Sequence, residues 1–151
     1  MKKRYIVLIV IAAVLITFLP FTLIFGAVVY DGFTSGQSNV EIESYRLCQD
    51  KDGKDVIIVK YLLENEGKEP TALTYEADIY VYQNGVQLNE AFELPKKCDY
   101  DSEDQYKNIK GGKEYFVEIA YMLENTEEDV DVELHDYSFF DKDKEKTFKL
   151  K

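Results

Sequence analysis

The chain has 151 residues and a formal net charge of −11, with 46% hydrophobic and 14% aromatic residues. Three of its 18 basic residues and none of its 29 acidic residues lie in the first 30 positions, so the remainder holds 15 basic and 29 acidic residues, a charge of −14. This charge disfavours nucleic acid and anionic surfaces as partners, and the aromatic and aliphatic content argues against a disordered chain.

The first 30 residues predict a membrane-spanning helix that serves as an uncleaved signal-anchor. Lys2, Lys3 and Arg4 precede a segment from Tyr5 to Tyr30 without a charged residue, which as a helix exceeds the roughly 30 Å hydrocarbon core of a bilayer. The basic start and the acidic Asp31 place the remainder of the chain outside the cytoplasm. A cleaved signal peptide, which would give a secreted protein, is the alternative, but such peptides have a shorter apolar region of about 7 to 15 residues.

Beyond a Gly- and Ser-rich tether at residues 31–38, residues 39–151 alternate apolar and polar side chains with the period of two that is typical of β-strands. Seven strands are expected, at the segments Val40 to Leu47, Lys54 to Asn65, Leu73 to Tyr82, Val86 to Phe92, Tyr115 to Leu123, Val130 to Leu134 and Phe148 to Leu150. The first strand changes phase at Ser44, as a β-bulge would allow, and Asn84-Gly85 predicts the tight turn of a hairpin.

One set of alternating side chains from each strand is expected to form the core. In the second, third and fifth strands these sets are Ile57, Val59, Tyr61 and Leu63; Leu73, Tyr75, Ala77, Ile79 and Val81; and Tyr115, Val117, Ile119, Tyr121 and Leu123. Seven short strands with no amphipathic helix among them favour an all-β fold, an antiparallel sandwich, and a small barrel is the alternative.

Besides the basic and apolar amino terminus, five segments carry a resemblance to a known family: Val40 to Leu47, Gly53 to Tyr61, the turn Asn65 to Pro70, Tyr82 to Val86 and Lys110 to Gly112. With these segments the chain resembles a family of uncharacterised immunoglobulin-like domains in secreted or membrane-anchored proteins of Gram-positive bacteria. The resemblance implies a seven-stranded immunoglobulin-like antiparallel sandwich outside the cell. The family has no established activity or catalytic residues to transfer, so the resemblance bears on fold and not on function.

Cys48 and Cys98 are the two cysteines of the chain and allow a single intramolecular disulfide, which an extracytoplasmic compartment would permit. Cys48 follows the opening strand, and Cys98 lies in the long connection from Glu93 to Gly112. A bond would therefore tie this connection to the sandwich. The alternative is a pair of free thiols too far apart to react.

Two groups of residues are candidates for partner binding. The long connection carries the acidic residues Asp99, Asp101, Glu103 and Asp104, and connections of this length are often functional. These acids could hold Ca²⁺ weakly, although a solvated acidic loop is the preferred interpretation. Tyr80 and Tyr82 share the polar side of their strand, where they either contact a protein or glycan partner or are covered by the second sheet or the long connection.

The sequence offers no catalytic, cofactor or metal site. His135 is the single histidine, expected on the solvent face of its strand, and no Gly-x-Ser-x-Gly turn accompanies it. The segment Asp50 to Asp55 looks like a calcium loop, but with Gly53 at the sixth position the first and twelfth positions are Cys48 and Val59, which are not carboxylates. A hairpin turn is expected there instead.

These observations favour a membrane-anchored extracytoplasmic binding module without catalytic activity or cofactors. Its partner is expected to be a protein or glycan of the cell envelope that is basic or bridged by cations, since the outer domain carries a charge of −14. One alternative is a Ca²⁺-binding or catalytic domain built on the acidic loops. Another is a structural envelope protein that acts through its membrane helix.

The charge asymmetry around Tyr5 to Tyr30 generates a prediction about topology. The full-length chain should remain in an alkali-resistant membrane fraction, with residues after Asp31 open to protease from outside the cell only. Mass spectrometry of the membrane-bound protein checks its amino terminus. A soluble product beginning near Gly36 or Asn39 would show that the segment is cleaved.

Overall fold

A computed structural model describes residues 38–137 and 143–151, which contain seven β-strands in two antiparallel sheets. The strands are β1 Ser38–Gln49, β2 Asp55–Asn65, β3 Ala77–Gln83, β4 Val86–Gln87, β5 Lys113–Met122, β6 Val130–Asp136 and β7 Lys144–Phe148. The one α-helix in these ranges, α1, is the single turn Leu73–Glu76. The predicted membrane helix lies outside the described residues, and among those residues no helix is long and apolar enough to cross a membrane.

The two sheets share one hydrophobic core. The first has the strand order β1-β2-β5 and the second β4-β3-β6-β7, so the described residues form two separate sheets and not the closed barrel that was the alternative. The core side chains of the first sheet include Val40, Ile57, Val59, Tyr61, Leu63, Val117 and Ile119, and those of the second include Val81, Val130, Val132, Leu134 and Phe148. The predicted all-β, seven-stranded fold is confirmed, and every apolar position predicted to face inward from β2 is buried.

Two local predictions of backbone geometry are also confirmed. In the pairing of β1 with β2, Ile42 lies opposite Tyr61 and Ser44 opposite Lys60, so the ladder skips one residue at the expected bulge. At the β3–β4 hairpin, Asn84 and Gly85 have φ values of 51° and 73°. These are the positive values that a two-residue turn of this kind requires.

Four large side chains that were expected in strands with their neighbours in the core are exposed instead: Tyr75, Val86, Phe92 and Tyr115. Leu73–Glu76 is a helical turn rather than the start of β3, so Leu73 is buried while Tyr75, two residues on, is on the opposite side and 73% exposed. Tyr115 is 37% exposed at the margin of the core, where its hydroxyl donates to Asp104 over 3.1 Å. β4 has only two residues, so Val86 and Phe92 remain exposed.

The last strand, β7, begins at Lys144, four residues earlier than predicted. The prediction missed its first residues because two of its inward positions hold lysines instead of apolar side chains. Lys144 pairs with Leu134, and Lys146 pairs with Val132. The Lys144 Nζ donates to the carbonyl of Val40 over 2.6 Å, and the Lys146 Nζ donates to the carbonyl of Ile42 over 2.8 Å. These bonds join β7 and β1, the strands at one edge of each sheet. The apolar alternation that marks a strand is therefore absent from β7.

Buried amide side chains hold the turns at both ends of the fold. Asn65 donates to the carbonyls of Glu69 and Ile109, both over 2.8 Å, and accepts from the N–H of Gly67. Gly111 passes so close to this turn that a Cβ atom there would lie 2.4 Å from the Gly67 oxygen. A buried amide with all its hydrogen bonds made fixes the local chain path, since the alternative is an unsatisfied polar group.

Gln83 has the corresponding role at the β5–β6 turn. Its side chain is 1% exposed, donates to the carbonyls of Asn125 and Glu128 over 3.0 Å, and accepts from the N–H groups of Glu124 and Asn125. One side chain at the end of β3 therefore orders the turn between two other strands.

The Gln83→Met variant should lower the free energy of unfolding by about 3 kcal/mol, because an isosteric side chain leaves buried backbone groups without partners. Urea unfolding followed by far-ultraviolet circular dichroism measures the change. Gln87→Met, at an exposed position of β4, serves as the control and should change stability by less than about 0.5 kcal/mol. Equal effects of the two variants would contradict the structural role of Gln83.

Candidate functional site

The long connection after β4 passes from one sheet to the other. The N–H of Leu88 still donates to Val81 of β3 over 2.8 Å. Three residues later the N–H of Ala91 donates to Ala120 of β5 over 2.8 Å, and the N–H of Met122 donates to Asn89 over 2.9 Å. The connection therefore extends the three-stranded sheet briefly at the edge of β5.

Beyond Ala91 the connection covers the outer face of the three-stranded sheet. A second buried cluster lies there, with Val56, Ile58 and Ala120 from the sheet against Ala91 and Cys98 from the connection. The partly buried side chains around it are Cys48, Leu94, Tyr100 and Met122. β2 is consequently buried on both faces from Val56 to Val59, and the connection supplies one of the covers.

A disulfide and an arginine fasten this cover. Cys48 at the end of β1 is bonded to Cys98, with Cα atoms 5.9 Å apart. Arg46 donates to the backbone oxygens of Cys98 and Asp99, and its Nη2 lies 2.6 Å from the Glu118 carboxylate of β5. The disulfide and the arginine therefore attach the same stretch of the connection to β1, and the ion pair of Arg46 with Glu118 links that stretch to β5.

Two of the four candidate acidic residues of the connection, Asp101 and Asp104, form ion pairs within the chain. The Lys107 Nζ lies 2.9 Å from Asp101 and 2.5 Å from Asp104, and these hydrogen bonds raise the pKa of Lys107 above its usual value. The hydrogen bond from Lys107 also lowers the pKa of Asp101. Asp99 and Glu103 are exposed. In residues 38–137 and 143–151 no three His, Cys, Asp or Glu side chains are grouped so that they could hold a metal ion.

The outer face of the four-stranded sheet has a different composition. We define the acidic sheet face by the outward side chains of β3, β6 and β7, which alternate with the buried positions of those strands: Asp78, Tyr80, Tyr82, Asp131, Glu133, His135, Glu145 and Thr147. Tyr80 and Tyr82 are half-buried there. The long connection packs on the other sheet and does not cover them, and contact of these tyrosines with a partner stays a prediction.

Like charges face each other at the centre of the acidic sheet face. Glu133 of β6 is directly opposite Glu145 of β7, and Tyr80 is opposite Glu133 on the other side. No lysine or arginine of the described ranges forms an ion pair with either glutamate. Directly opposed like charges destabilise a sheet, so this arrangement carries a cost in the free protein.

The structure separates the two groups of residues that the sequence suggested for partner binding. Tyr80 and Tyr82 lie on the outer face of the four-stranded sheet, whereas the connection from Glu93 to Gly112 packs on the outer face of the three-stranded sheet. The core lies between these two faces. One partner surface cannot include both groups unless it wraps around the domain.

His135 and the aspartate-rich turn have the local roles expected of them. His135 Nδ1 lies 2.7 Å from Asp143, and its ring meets the ring of Tyr80 edge-on with centroids 5.6 Å apart.

At the β1–β2 turn, one carboxylate oxygen of Asp50 accepts from the N–H groups of Asp52 and Lys54, both over 2.8 Å. The segment Asp50 to Asp55 is a hairpin turn, as expected.

Sequence reasoning missed Arg46, Lys107 and Glu145. Arg46 binds the carbonyl of Cys98, which is 52 residues away, so only the fold reveals this contact. Lys107 binds Asp101 and Asp104, which are 6 and 3 residues away. Glu145 was missed because β7 itself was predicted to start after it. The signal in the sequence is the alternation of Lys144, Lys146 and Phe148, in which two lysines take the positions of apolar residues.

Together these features define an all-β domain of two antiparallel sheets, with a disulfide-bound connection over one outer face and an acidic, aromatic surface on the other. Residues 30–136 match the family described as a domain of unknown function, DUF5067, and the chain belongs to that family. Membership in an uncharacterised surface-domain family was the expectation from the sequence, and it is confirmed.

A solved structure from Staphylococcus aureus, of a protein provisionally described as a lipoprotein, has a similar fold. The TM-score is 0.54 with 21% sequence identity, and the similarity covers 75% of this chain and 83% of that chain. At this identity the similarity shows the fold alone. The comparison with curated proteins gives no match.

Replacing both cysteines, as in Cys48→Ser with Cys98→Ser, should lower the free energy of unfolding by about 4 kcal/mol, because the bond closes a loop with a sequence separation of 50. Urea unfolding measures this change. Limited proteolysis should then cut the connection between Leu94 and Lys107 while β2 remains protected. An unchanged stability and cleavage pattern would show that the disulfide does not hold the connection in place.

Proposed function

We propose that this protein is a non-catalytic interaction module on the outside of the cell envelope. The module is an immunoglobulin-like sandwich, and a membrane helix within residues 1–30 anchors it. The acidic sheet face binds the partner. This face carries the proposal because it combines two half-buried tyrosines with carboxylates that no basic side chain of the described ranges neutralises.

The strand order supports an immunoglobulin-like topology. The series β1-β2-β5 and β3-β6-β7 match the A-B-E and C-F-G neighbours of an immunoglobulin constant domain. In that domain the fourth strand pairs with the fifth, whereas here β4 pairs with β3. The chain then crosses over, and Asn89 to Ala91 pair with β5 where a fourth strand would lie. The difference is thus confined to one short strand.

Three observations support the location outside the cell. The apolar segment from Tyr5 to Tyr30 follows three basic residues and precedes an acidic domain. The two cysteines are joined in a disulfide, which is typical of oxidising compartments. The structural neighbour from Staphylococcus aureus is provisionally described as a lipoprotein, which suggests association with the cell envelope.

The chemistry of the described side chains supports a non-catalytic role. Both cysteines are oxidised, so neither supplies a thiolate nucleophile. Burial raises the pKa values of Tyr61 and Tyr121 well above the usual range, which keeps both phenols protonated. His135 Nδ1 lies 2.7 Å from Asp143, and its ring packs edge-on against the ring of Tyr80.

Photo-crosslinking of the full-length chain in its own envelope tests the proposed function. A benzoylphenylalanine at Gln87, beside Tyr82 on the acidic sheet face, should form a defined adduct with one envelope component. The same residue at Glu114, exposed on the three-stranded sheet, is the matched control and should form none. Changing Tyr80 and Tyr82 to serine should reduce the Gln87 adduct at least fivefold. Absence of an adduct, or equal adducts from both positions, would contradict the proposal.

A further inference from the structure

The acidic sheet face borders an open strand edge. β3 pairs with β4 only at Tyr82 and Gln83, and one more bond joins Leu88 to Val81 before the chain crosses to the other sheet. Within residues 38–137 and 143–151, no strand pairs with this edge of β3 from Asp78 to Tyr80, and at its start the N–H of Ala77 already donates to the carbonyl of Leu73 in α1. Unpaired N–H and C=O groups on a strand edge are a template for an additional strand.

The charges on the acidic sheet face favour a cationic partner. Glu133 and Glu145 are opposed across β6 and β7 without a cation between them. A comparable pair, Glu64 and Glu114, occurs on the other sheet, but there Glu64 accepts a hydrogen bond from Asn39 over 2.8 Å. The pair on the acidic sheet face has no such donor among the described hydrogen bonds. A bound cation would remove a repulsion that the free protein retains.

The position of Tyr80 joins the edge to the charges. In the sheet order, Tyr80 of β3 lies between the open edge and Glu133 of β6. Strands lie about 4.8 Å apart, so a strand added to β3 would be about 10 Å from β6. A lysine or arginine on its outward side would lay its aliphatic stem and charge across the Tyr80 ring and reach toward Glu133. Aromatic rings and carboxylates both attract such a cation.

We propose that the acidic sheet face binds an extended segment of a partner protein with basic residues at alternate positions. The segment adds to the open edge of β3 and directs its basic side chains over Tyr80 toward Glu133. This inference rests on the proposed function as an interaction module and names the chemistry of its partner. A polypeptide is favoured over a polyamine or an amino sugar because only a polypeptide backbone pairs with a strand edge.

Isothermal titration of the full-length chain in detergent with the synthetic peptide (Lys-Thr)₄ tests this proposal. Binding should be measurable at 50 mM salt and at least fivefold weaker at 300 mM. Methylation of alternate backbone nitrogens on the edge-facing side of the peptide should weaken binding at least tenfold, because it removes the donors for strand pairing. Spermine and (Glu-Thr)₄ should each bind at least tenfold more weakly than the unmodified peptide.

Two charge variants locate the site. Glu133→Gln with Glu145→Gln should weaken peptide binding at least tenfold and raise the melting temperature, since the repulsion between β6 and β7 is removed. Glu64→Gln with Glu114→Gln makes the same change in net charge on the other sheet and should alter the affinity less than twofold. If the peptide bound only through the net charge of the domain, both variants would lower its affinity equally. That result would overturn the proposal.

The control peptides and spermine separate strand addition from binding by charge alone. Equal binding of the methylated peptide or of spermine would show that charge alone acts and would overturn strand addition. No binding of (Lys-Thr)₄ would overturn the inference about partner chemistry. The proposed function would still stand in that case if the Gln87 crosslink forms an adduct, whereas absence of that adduct would remove the proposed function itself.

Discussion

β2 is buried on both faces, and this burial determines where the connection between β4 and β5 must lie. One face of the strand meets the other sheet through Ile57, Val59 and Tyr61, and the opposite face exposes Val56 and Ile58 unless something covers them. The connection between β4 and β5 is that cover. Its length, its disulfide and the contacts of Arg46 follow from this requirement, since a loose segment would not exclude water from two buried apolar side chains.

Because the connection covers the outer face of the three-stranded sheet, the outer face of the four-stranded sheet is the one left open in the described residues. Its acidic character arises partly from where the lysines of β7 are directed. Lys144 and Lys146 turn inward and bind the carbonyls of β1, so they do not neutralise Glu133 or Glu145 on the outer side. The same lysines that join the two sheets at their edges therefore leave uncompensated charge on the acidic sheet face. One pair of lysines thus joins the two sheets and leaves the carboxylates of the acidic sheet face without a basic partner among the described residues.

Sequence patterns predicted the parts of the fold that depend on local chemistry. The period of two in β2, the bulge at Ser44 and the Asn84-Gly85 turn all follow from rules that act within a few residues. The errors at Tyr115 and in β7 come from contacts with other segments, Asp104 and the edge of β1. At Tyr75 the cause is local, because a single helical turn replaces the expected start of the strand. The separation of the tyrosines from the acidic connection could not be read from the sequence, since it depends on which sheet the connection crosses.

Amide hydrogen exchange of the full-length chain, compared between intact envelopes and the purified protein, tests whether a partner binds the outer face of the four-stranded sheet at β3. Such binding predicts slower exchange of the amides from Asp78 to Tyr82 in intact envelopes, with no change from Lys96 to Lys107. Protection of the segment from Lys96 to Lys107, with unchanged exchange along β3, would contradict it.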